Sequence, residues 1–364
     1  MFDDARILVA PLDWGLGHAT RCVPIIKALI THGAVPVIGA DKGPLALLRA
    51  EFPQLEHVRI PGIVVRYGKG PSQTWAMAKQ FPAMLRSVRE EQLLFDRLRK
   101  DLRLDAVISD QRFGIRAGEL PSVLITHQIF PFSPMGQAIL RRINRGQIDR
   151  FDRCWIPDMP KIPGLAGELS HGHHVPGHAR YLGPVSRFGD GDVPASSESY
   201  RVVAVISGPE PQRTIFEQEV IKQLRAVDGR HLVVSGTPGQ QEERREGNIR
   251  TVPHLGAEAL RNALLGAEFI VSRSGYTTLM DLHALGRSAL LVPTPGQPEQ
   301  EYLAKLHVAI GDHNIQRQHE LDIATALQDP PRNAGPVKSD DLLMKAFADL
   351  AALIKARRSS TFTQ

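Results

Sequence analysis

Short apolar runs alternate with amphipathic stretches from the first residues onward. Ile7 to Pro11 is a continuous apolar run; a glycine-bearing turn follows, apolar residues recur at helical spacing from about Thr20 to Thr31, and a second run covers Val35 to Gly39. That is a βαβ opening, since strands of a parallel sheet are buried on both faces and read as unbroken apolar runs. The same pattern predicts a helix at Leu45 to Glu51, a strand at Glu56 to Ile60, and a long amphipathic helix from about Ala76 to Leu102. Strands at Ala106 to Ser109 and Ser122 to Thr126, a helix at Leu140 to Ile148 and a strand at Cys154 to Pro157 follow.

Residues 184–200 are rich in Gly, Pro, Ser and Asp, the composition of a linker. The alternation then restarts: strand Val202 to Ser207, a turn through Gly208, a helix to about Val227, and strands at His231 to Ser235, Ile249 to Val252, Phe269 to Ser272 and Ala289 to Pro293. A last helix, Asp340 to Arg357, is expected to pack back on the first half. The predicted fold class is α/β, with two doubly wound Rossmann-like domains, residues 1–185 and 201–339, joined by a linker over 186–200 and followed by a helical tail over 340–364. Each half opens with a glycine turn after its first strand, so the expected binding site is a cleft that the halves face.

Length agrees with two domains, because 364 residues exceed what one ordinary core holds. With 42% hydrophobic and 23% charged residues the composition is that of a soluble globular protein. Cys22 and Cys154 form neither a disulfide framework nor a zinc pattern, no leader or membrane-spanning run is present, and a cytoplasmic protein is expected. The net charge of +5 points to an anionic partner. The arginines gather at Arg86 to Arg103 and Arg141 to Arg153, without interleaved aromatics, so nucleic acid is not the expected one.

The first turn reads Pro11-Leu12-Asp13-Trp14-Gly15-Leu16-Gly17-His18-Ala19-Thr20-Arg21. Gly15 and Gly17 begin a dinucleotide fingerprint, but Thr20 stands at the third glycine position, which argues against a dehydrogenase. His18 at the helix entrance has the near-neutral proton affinity of a general base; the plain alternative is a histidine that caps or packs. A base needs a carboxylate to orient it, and Asp110, at the end of its strand, is preferred over Asp13 in the same loop as His18. Arg112 follows Asp110 closely, and His127 ends the next strand as a rival base or acceptor-binding residue.

In the second half, Phe269 to Asp281 is an apolar strand running through a small turn into a helix. Ser274, Thr277 and Thr278 fall where a helix has unpaired N–H groups, Gly275 admits close approach, and the helix dipole favours an anion; Asp281 would reach a ribose hydroxyl. An ordinary capped helix is the alternative.

Gly15-x-Gly17-His18, with Ser272-Arg273-Ser274-Gly275-x-x-Thr278-x-x-Asp281 and Pro295-Gly296-Gln297-x-x-Gln300-Glu301, resembles the MurG-like branch of the GT-B glycosyltransferases, which use UDP-N-acetylglucosamine. The resemblance spans both halves and implies a GT-B fold. It implies the donor diphosphate on the turn at Arg273, Ser274 and Gly275, the ribose on Asp281, and the donor sugar on the pair Gln300 and Glu301, with Gln297 of the same motif among the donor-binding residues. Glu301 departs from the family's second glutamine, which leaves the sugar open. The loop at Gly208 corresponds to the family's diphosphate loop, with Arg213 as phosphate partner, and His254 with Leu255 falls where the base is held. The implied reaction is an inverting, metal-independent transfer from a nucleotide sugar to a hydroxyl acceptor, with His18 as base and no cofactor. Gly15-Leu16-Gly17-His18-x-x-Arg21-Cys22 also resembles the PseG nucleotide-sugar hydrolases, in which water replaces the acceptor. The longer chain and its long first-half helix favour the transferase over the hydrolase and over a non-catalytic binding module. Phe130 to Met135 with Arg141, Arg142, Arg145 and Arg150 reads either as an apolar wedge with a basic rim, resting on the inner face of an anionic membrane, or as a loop and helix closing the acceptor site. Phe81, Met84, Leu85 and Val88 read as core.

Overall fold

A computed structural model describes residues 1–62, 73–132, 136–188, 199–333 and 341–361, without the side chains of 73–85, 360 and 361. The chain divides into two compact units, one running to Val185 and taking in the last helix, the other starting at Ser186.

In the first unit the elements are β1 (Arg6–Pro11), α1 (Leu16–Thr31), β2 (Val35–Ala40), α2 (Lys42–Glu51), β3 (Glu56–Arg59), α3 (Gln73–Asp101), β4 (Ala106–Asp110), β5 (Ser122–Ile125), α4 (Gln137–Ile148), β6 (Arg153–Ile156) and β7 (Ala179–Tyr181). Every strand pairing is parallel, in the order β3-β2-β1-β4-β5-β6-β7. The chain therefore builds outward from β1 in one direction, returns, and builds from β4 in the other. Between the carboxyl ends of β1 and β4 the loops part, and a doubly wound sheet binds its ligand at that point. Ile7, Val9 and Ile38 face one hydrophobic cluster with α1 and α2, while Leu8, Val37 and Val107 face another with Phe95 of α3, so both sheet faces are covered.

The second unit holds β8 (Tyr200–Val205), α5 (Gln212–Leu224), β9 (His231–Val234), β10 (Arg244–Glu246), β11 (Ile249–Val252), α6 (Ala257–Leu265), β12 (Ala267–Ser272), α7 (Tyr276–Leu285), β13 (Leu290–Leu291), α8 (Pro298–Ala309), β14 (Asn314–Ile315) and α9 (Ile323–Ala326). Its order is β10-β11-β9-β8-β12-β13-β14, and the switch point lies between β8 and β12. Strand β10 is antiparallel and reads Arg-Arg-Glu, all exposed; charge on an edge strand deters further pairing.

The last helix, α10 (Leu342–Thr361), belongs to the first unit. Phe347 is fully buried, stacked on Trp155 with centroids 5.8 Å apart and edge-on to Phe2 at 5.6 Å. Arg153 pairs with Asp349, and Arg358 with Asp105 at 2.8 Å.

Both doubly wound sheets follow the predicted alternation. The differences lie in short or polar elements. Helix α1 begins at Leu16 instead of Thr20, because Gly15 takes the cap position at φ 149° and Thr20 bonds back to the Gly17 carbonyl at 3.0 Å. Strands β7, β10 and β14 have three residues or fewer and no apolar run. In α8 the buried face is Leu303, Ala304 and His307, a histidine standing where periodicity asks for an apolar residue.

Candidate active site

Starting at Leu16 puts His18 in the first turn of α1 and Arg21 one turn further on the same face. Both meet Asp110, which is paired in register with Pro11 and fully buried at the carboxyl end of β4. His18 Nδ1 lies 3.1 Å from Asp110 Oδ1. Arg21 grips the same carboxylate with two N–H groups, Nε to Oδ2 at 2.5 Å and Nη2 to Oδ1, while Nη2 also lies 2.7 Å from His18 Nδ1. Cys22 Sγ approaches Oδ2 at 3.8 Å.

Burial raises the proton affinity of Asp110, but the charges of Arg21 and His18 win and hold the carboxyl at about 2. His18 is pushed below its ordinary 6.5, first by burial and then by Arg21, with Asp110 opposing. The imidazole is therefore neutral at physiological pH, with 21% of its side chain exposed to meet a substrate. Two tautomers compete at Nδ1. A proton there is donated to Asp110 and leaves Nε2 with its lone pair; a bare Nδ1 accepts from Arg21 and puts the proton on Nε2.

The structure separates the other first-unit candidates. Asp13 is turned toward Gly62, where a Cβ would fall 2.1 Å from its Oδ1, and it makes no recorded bond to His18, so the alternative orienting role is corrected. Arg112 is not a cleft residue: its side chain is fully buried, donating to the Pro61 carbonyl at 2.6 Å and pairing with Glu91 at 2.9 Å. It ties α3 to the loop after β3. His127 is buried, yet its charge bears on His18. In the Phe130 segment, Arg141 lies over the Phe130 ring at 5.7 Å and Arg145 pairs with Asp149 at 2.8 Å. Ser133, Pro134 and Met135 lie outside the described residues, as do the side chains of Phe81, Met84 and Leu85 and most of the 186–200 linker.

At the second unit's switch point, Gly208 follows β8 at φ 108°, and Gly275 caps α7 without any side-chain cap. Ser274 is buried and donates to the Gln300 carbonyl at 2.7 Å, which fixes the turn against α8. Gln300 accepts from the Thr294 amide at 2.9 Å and donates to Gln297 at 2.6 Å, while Glu301 accepts from the Gly296 amide at 3.2 Å. These three side chains knit the loop before α8. Thr277, Thr278, His254 and Leu255 are partly exposed around the same edge.

Three expected ligand-binding residues have other work. Arg273 is fully buried beneath the turn, bonded to the carbonyls of Val292, Pro293 and Gln212 and to Gln318, with Phe216 4.0 Å below; burial lowers its pKa to about 9. It braces β12, β13 and α5 and does not face a phosphate. Arg213 pairs with both Glu210 and Glu217, so its charge is already neutralised. Asp281 accepts from Ser186 Oγ at 2.7 Å and Arg187 Nε at 3.1 Å and is 3% exposed, which closes it to a ribose.

Sequence reasoning missed three positions. Arg21 was legible through its i, i+3 spacing from His18 once the helix start is known. Gln111 holds φ 61°, rare for a residue with a side chain, and ties β4 to β5 by donating to Thr126 Oγ1 at 2.6 Å. Thr294 is fully buried, 3.5 Å from where a Gly208 Cβ would stand, with no bond to its hydroxyl among the described residues. Nothing in the local sequence marks either of these two. No group of three His, Cys, Asp or Glu among the described residues is placed to hold a metal ion.

Residues 237–330 match the glycosyltransferase family 28 C-terminal domain. Over 107 residues the chain is 31% identical to the UDP-N-acetylglucosamine–N-acetylmuramyl-(pentapeptide) pyrophosphoryl-undecaprenol N-acetylglucosamine transferase of Brucella anthropi, a stretch amounting to 26% of this chain and 28% of that enzyme. It is 23% identical over 316 residues, 81% of each chain, to a glycosyltransferase of Methanosarcina acetivorans. The solved structure of the glycosyltransferase SnogD from Streptomyces nogalater shares the fold, with a TM-score of 0.60 and 18% identity over 97% of this chain and 95% of that one. The fold is that of the GT-B glycosyltransferases, and the domain match marks the chain as a glycosyltransferase. Within that class the chain is MurG-like, with the family 28 domain in its second unit.

Proposed function

We propose that the chain transfers a sugar with inversion from a UDP-linked donor, such as UDP-N-acetylglucosamine, to a hydroxyl acceptor, with His18 as general base and no metal. The observation that carries this reading is the His18, Asp110 and Arg21 cluster at the first sheet's switch point, where a neutral, partly exposed imidazole is held by a buried carboxylate. Nε2 takes the acceptor hydroxyl proton, the oxygen bonds to the anomeric carbon, and the bond to the donor phosphate breaks on the opposite face. The nucleoside diphosphate leaves with the electron pair. Its charge is met by the amides at the start of α7 and of the Gly208 turn, so dipoles in place before the reaction do what a divalent cation would otherwise do. The reading implies the cytoplasm, where nucleotide sugars are made. Ile139, 68% exposed, and Arg142 on α4 fit peripheral contact with an anionic membrane.

The test is turnover of UDP-N-acetylglucosamine with a panel of hydroxyl acceptors in the presence of a chelator. His18→Ala should abolish transfer and leave UDP binding within about twofold. Stoichiometric free sugar without acceptor would convert the reading to a hydrolase, and a neutral-pH nitrogen NMR spectrum with the proton on Nε2 would remove His18 as the base.

A further inference from the structure

Several arginines on the flank of the first unit are paired: Arg99 with Glu119, Arg145 with Asp149, Arg153 with Asp349. Among those with no carboxylate partner in the described residues, three converge. Arg89 with Val88 and Gln92 on α3, Arg116 on the loop after β4, and Arg150 with Gln147 at the end of α4 line one groove of about 340 Å³. No ion pair forms at any of the three among the described residues. Arg116 Nε is buried with no acceptor, and its backbone carbonyl is fixed by Gln92 Nε2 at 2.7 Å, so the guanidinium is held from its base. Among the described residues the Arg150 side chain makes one bond, a long one to Gln147 Oε1 at 3.5 Å. Burial first, and then the charge of Arg150, lower the proton affinity of Arg116, with Asp96 opposing; Asp96 itself is shared with Gln92 at 3.4 Å and Arg99 at 3.3 Å.

We propose that this groove is a second anion site, which takes a phosphate or diphosphate group remote from the catalytic edge. Three like charges repel unless an anion lies among them, and guanidinium forks match phosphate oxygens two at a time. Val88 supplies an apolar wall and Gln147 an amide donor. Sheet topology sets the distance from His18. Asp110 ends β4 at the carboxyl edge, whereas Arg150 follows α4 on the approach to the amino end of β6, and Arg116 lies on the return to the amino end of β5. The site is independent of the proposed reaction, and the same chemistry is offered by a free phosphate compound or by a lipid headgroup.

The test titrates full-length protein, labelled at arginine Nε, with sodium pyrophosphate. The Arg116 Nε–H resonance should move saturably, a local readout that pyrophosphate at the donor turn does not mimic. Arg116→Gln combined with Arg150→Gln should weaken the pyrophosphate-dependent rise in melting temperature about tenfold or more, since charge-assisted bonds are lost. Without anion the double variant should melt no lower than the native protein, because repulsion has been relieved. An unmoved Arg116 resonance, or a double variant that responds like the native protein, would overturn the site. Vesicles of phosphatidylglycerol, set against phosphatidylcholine, identify the source: binding that the double variant loses assigns the headgroup, and pyrophosphate binding without vesicle binding assigns a soluble anion.

Discussion

Replacing Arg21 with methionine keeps length and apolar bulk in a side chain that is 2% exposed while deleting the charge beside His18. Two effects on the imidazole follow, and they act in the same direction. The Arg21 charge, whose Nη2 lies 2.7 Å from His18 Nδ1, no longer opposes protonation. Asp110, released from the guanidinium, now has only the imidazole to neutralise it. Unit charges about 4 Å apart interact by about 4 kcal/mol at an effective dielectric near 20, so a rise of one pH unit or more, about 1.4 kcal/mol, is a conservative expectation for His18. The titration should move from below 6.5 to above it. Stability should then depend on pH in the variant. A raised folded-state value gives stability that is complete below 6.5 and is lost as pH climbs through the folded value. At about pH 8 the stranded Asp110 should cost about 3–5 kcal/mol, and at about pH 5 the imidazolium should offset much of that. The assay is an NMR titration of the His18 ring in Arg21→Met, with urea unfolding at both pH values. A His18 that titrates no higher than in the native protein, or an equal loss of stability at both, refutes the account in which Arg21 adds to burial in keeping His18 neutral.

Three further outcomes are expected. Asp110, held at about 2 against 3.8 unfolded, gives about 2 kcal/mol that is present above 3.8 and lost as pH falls toward 2; Asp110→Asn should abolish that acid slope and cost about 3–5 kcal/mol by stranding Arg21, read as urea midpoint against pH. Gly208→Ala should lose about 1–2 kcal/mol because φ is 108°, whereas Gly275→Ala, at φ −69° with only Thr278 Oγ1 4.0 Å from the new methyl, should melt like the native protein yet bind UDP more weakly; equal melting losses would contradict this. Asp281→Ala should cost about 3 kcal/mol by leaving Arg187, whose side chain is largely covered, unpaired, with UDP affinity changed less than about threefold, and a tenfold affinity loss at unchanged melting temperature would restore the ribose role.

The fold was legible because its strands are apolar runs such as Ile7 to Pro11, whose burial on both faces leaves one topology class. The contact of His18 with Asp110 was legible for the same reason: the two sit where adjacent strands end, and strand ends can be counted. Arg273, Arg213 and Asp281 misled because a motif fixes where a charged residue falls on the chain and not which partner claims it. Arg273 is claimed by carbonyls beneath the turn and Arg213 by Glu210 and Glu217. Asp281 is claimed by Ser186 and Arg187, far away in sequence, and nothing local announces that contact. The groove of unpaired arginines was visible only as a basic cluster, since pairing depends on which carboxylates fold nearby.

Helix α10 completes a unit that the chain left more than a hundred residues earlier, at Val185. During synthesis the sheet carrying His18 and Asp110 emerges first, but the faces of Phe2 and Trp155 that Phe347 covers stay bare until the final segment has left the ribosome. The elements of the second unit, β8 to α9, follow one another without interruption in the chain and can fold while the first waits. A nascent chain stalled before Leu342 should therefore hold a formed second unit and a first unit still in need of a chaperone, so that the unit bearing His18 and Asp110 is finished last.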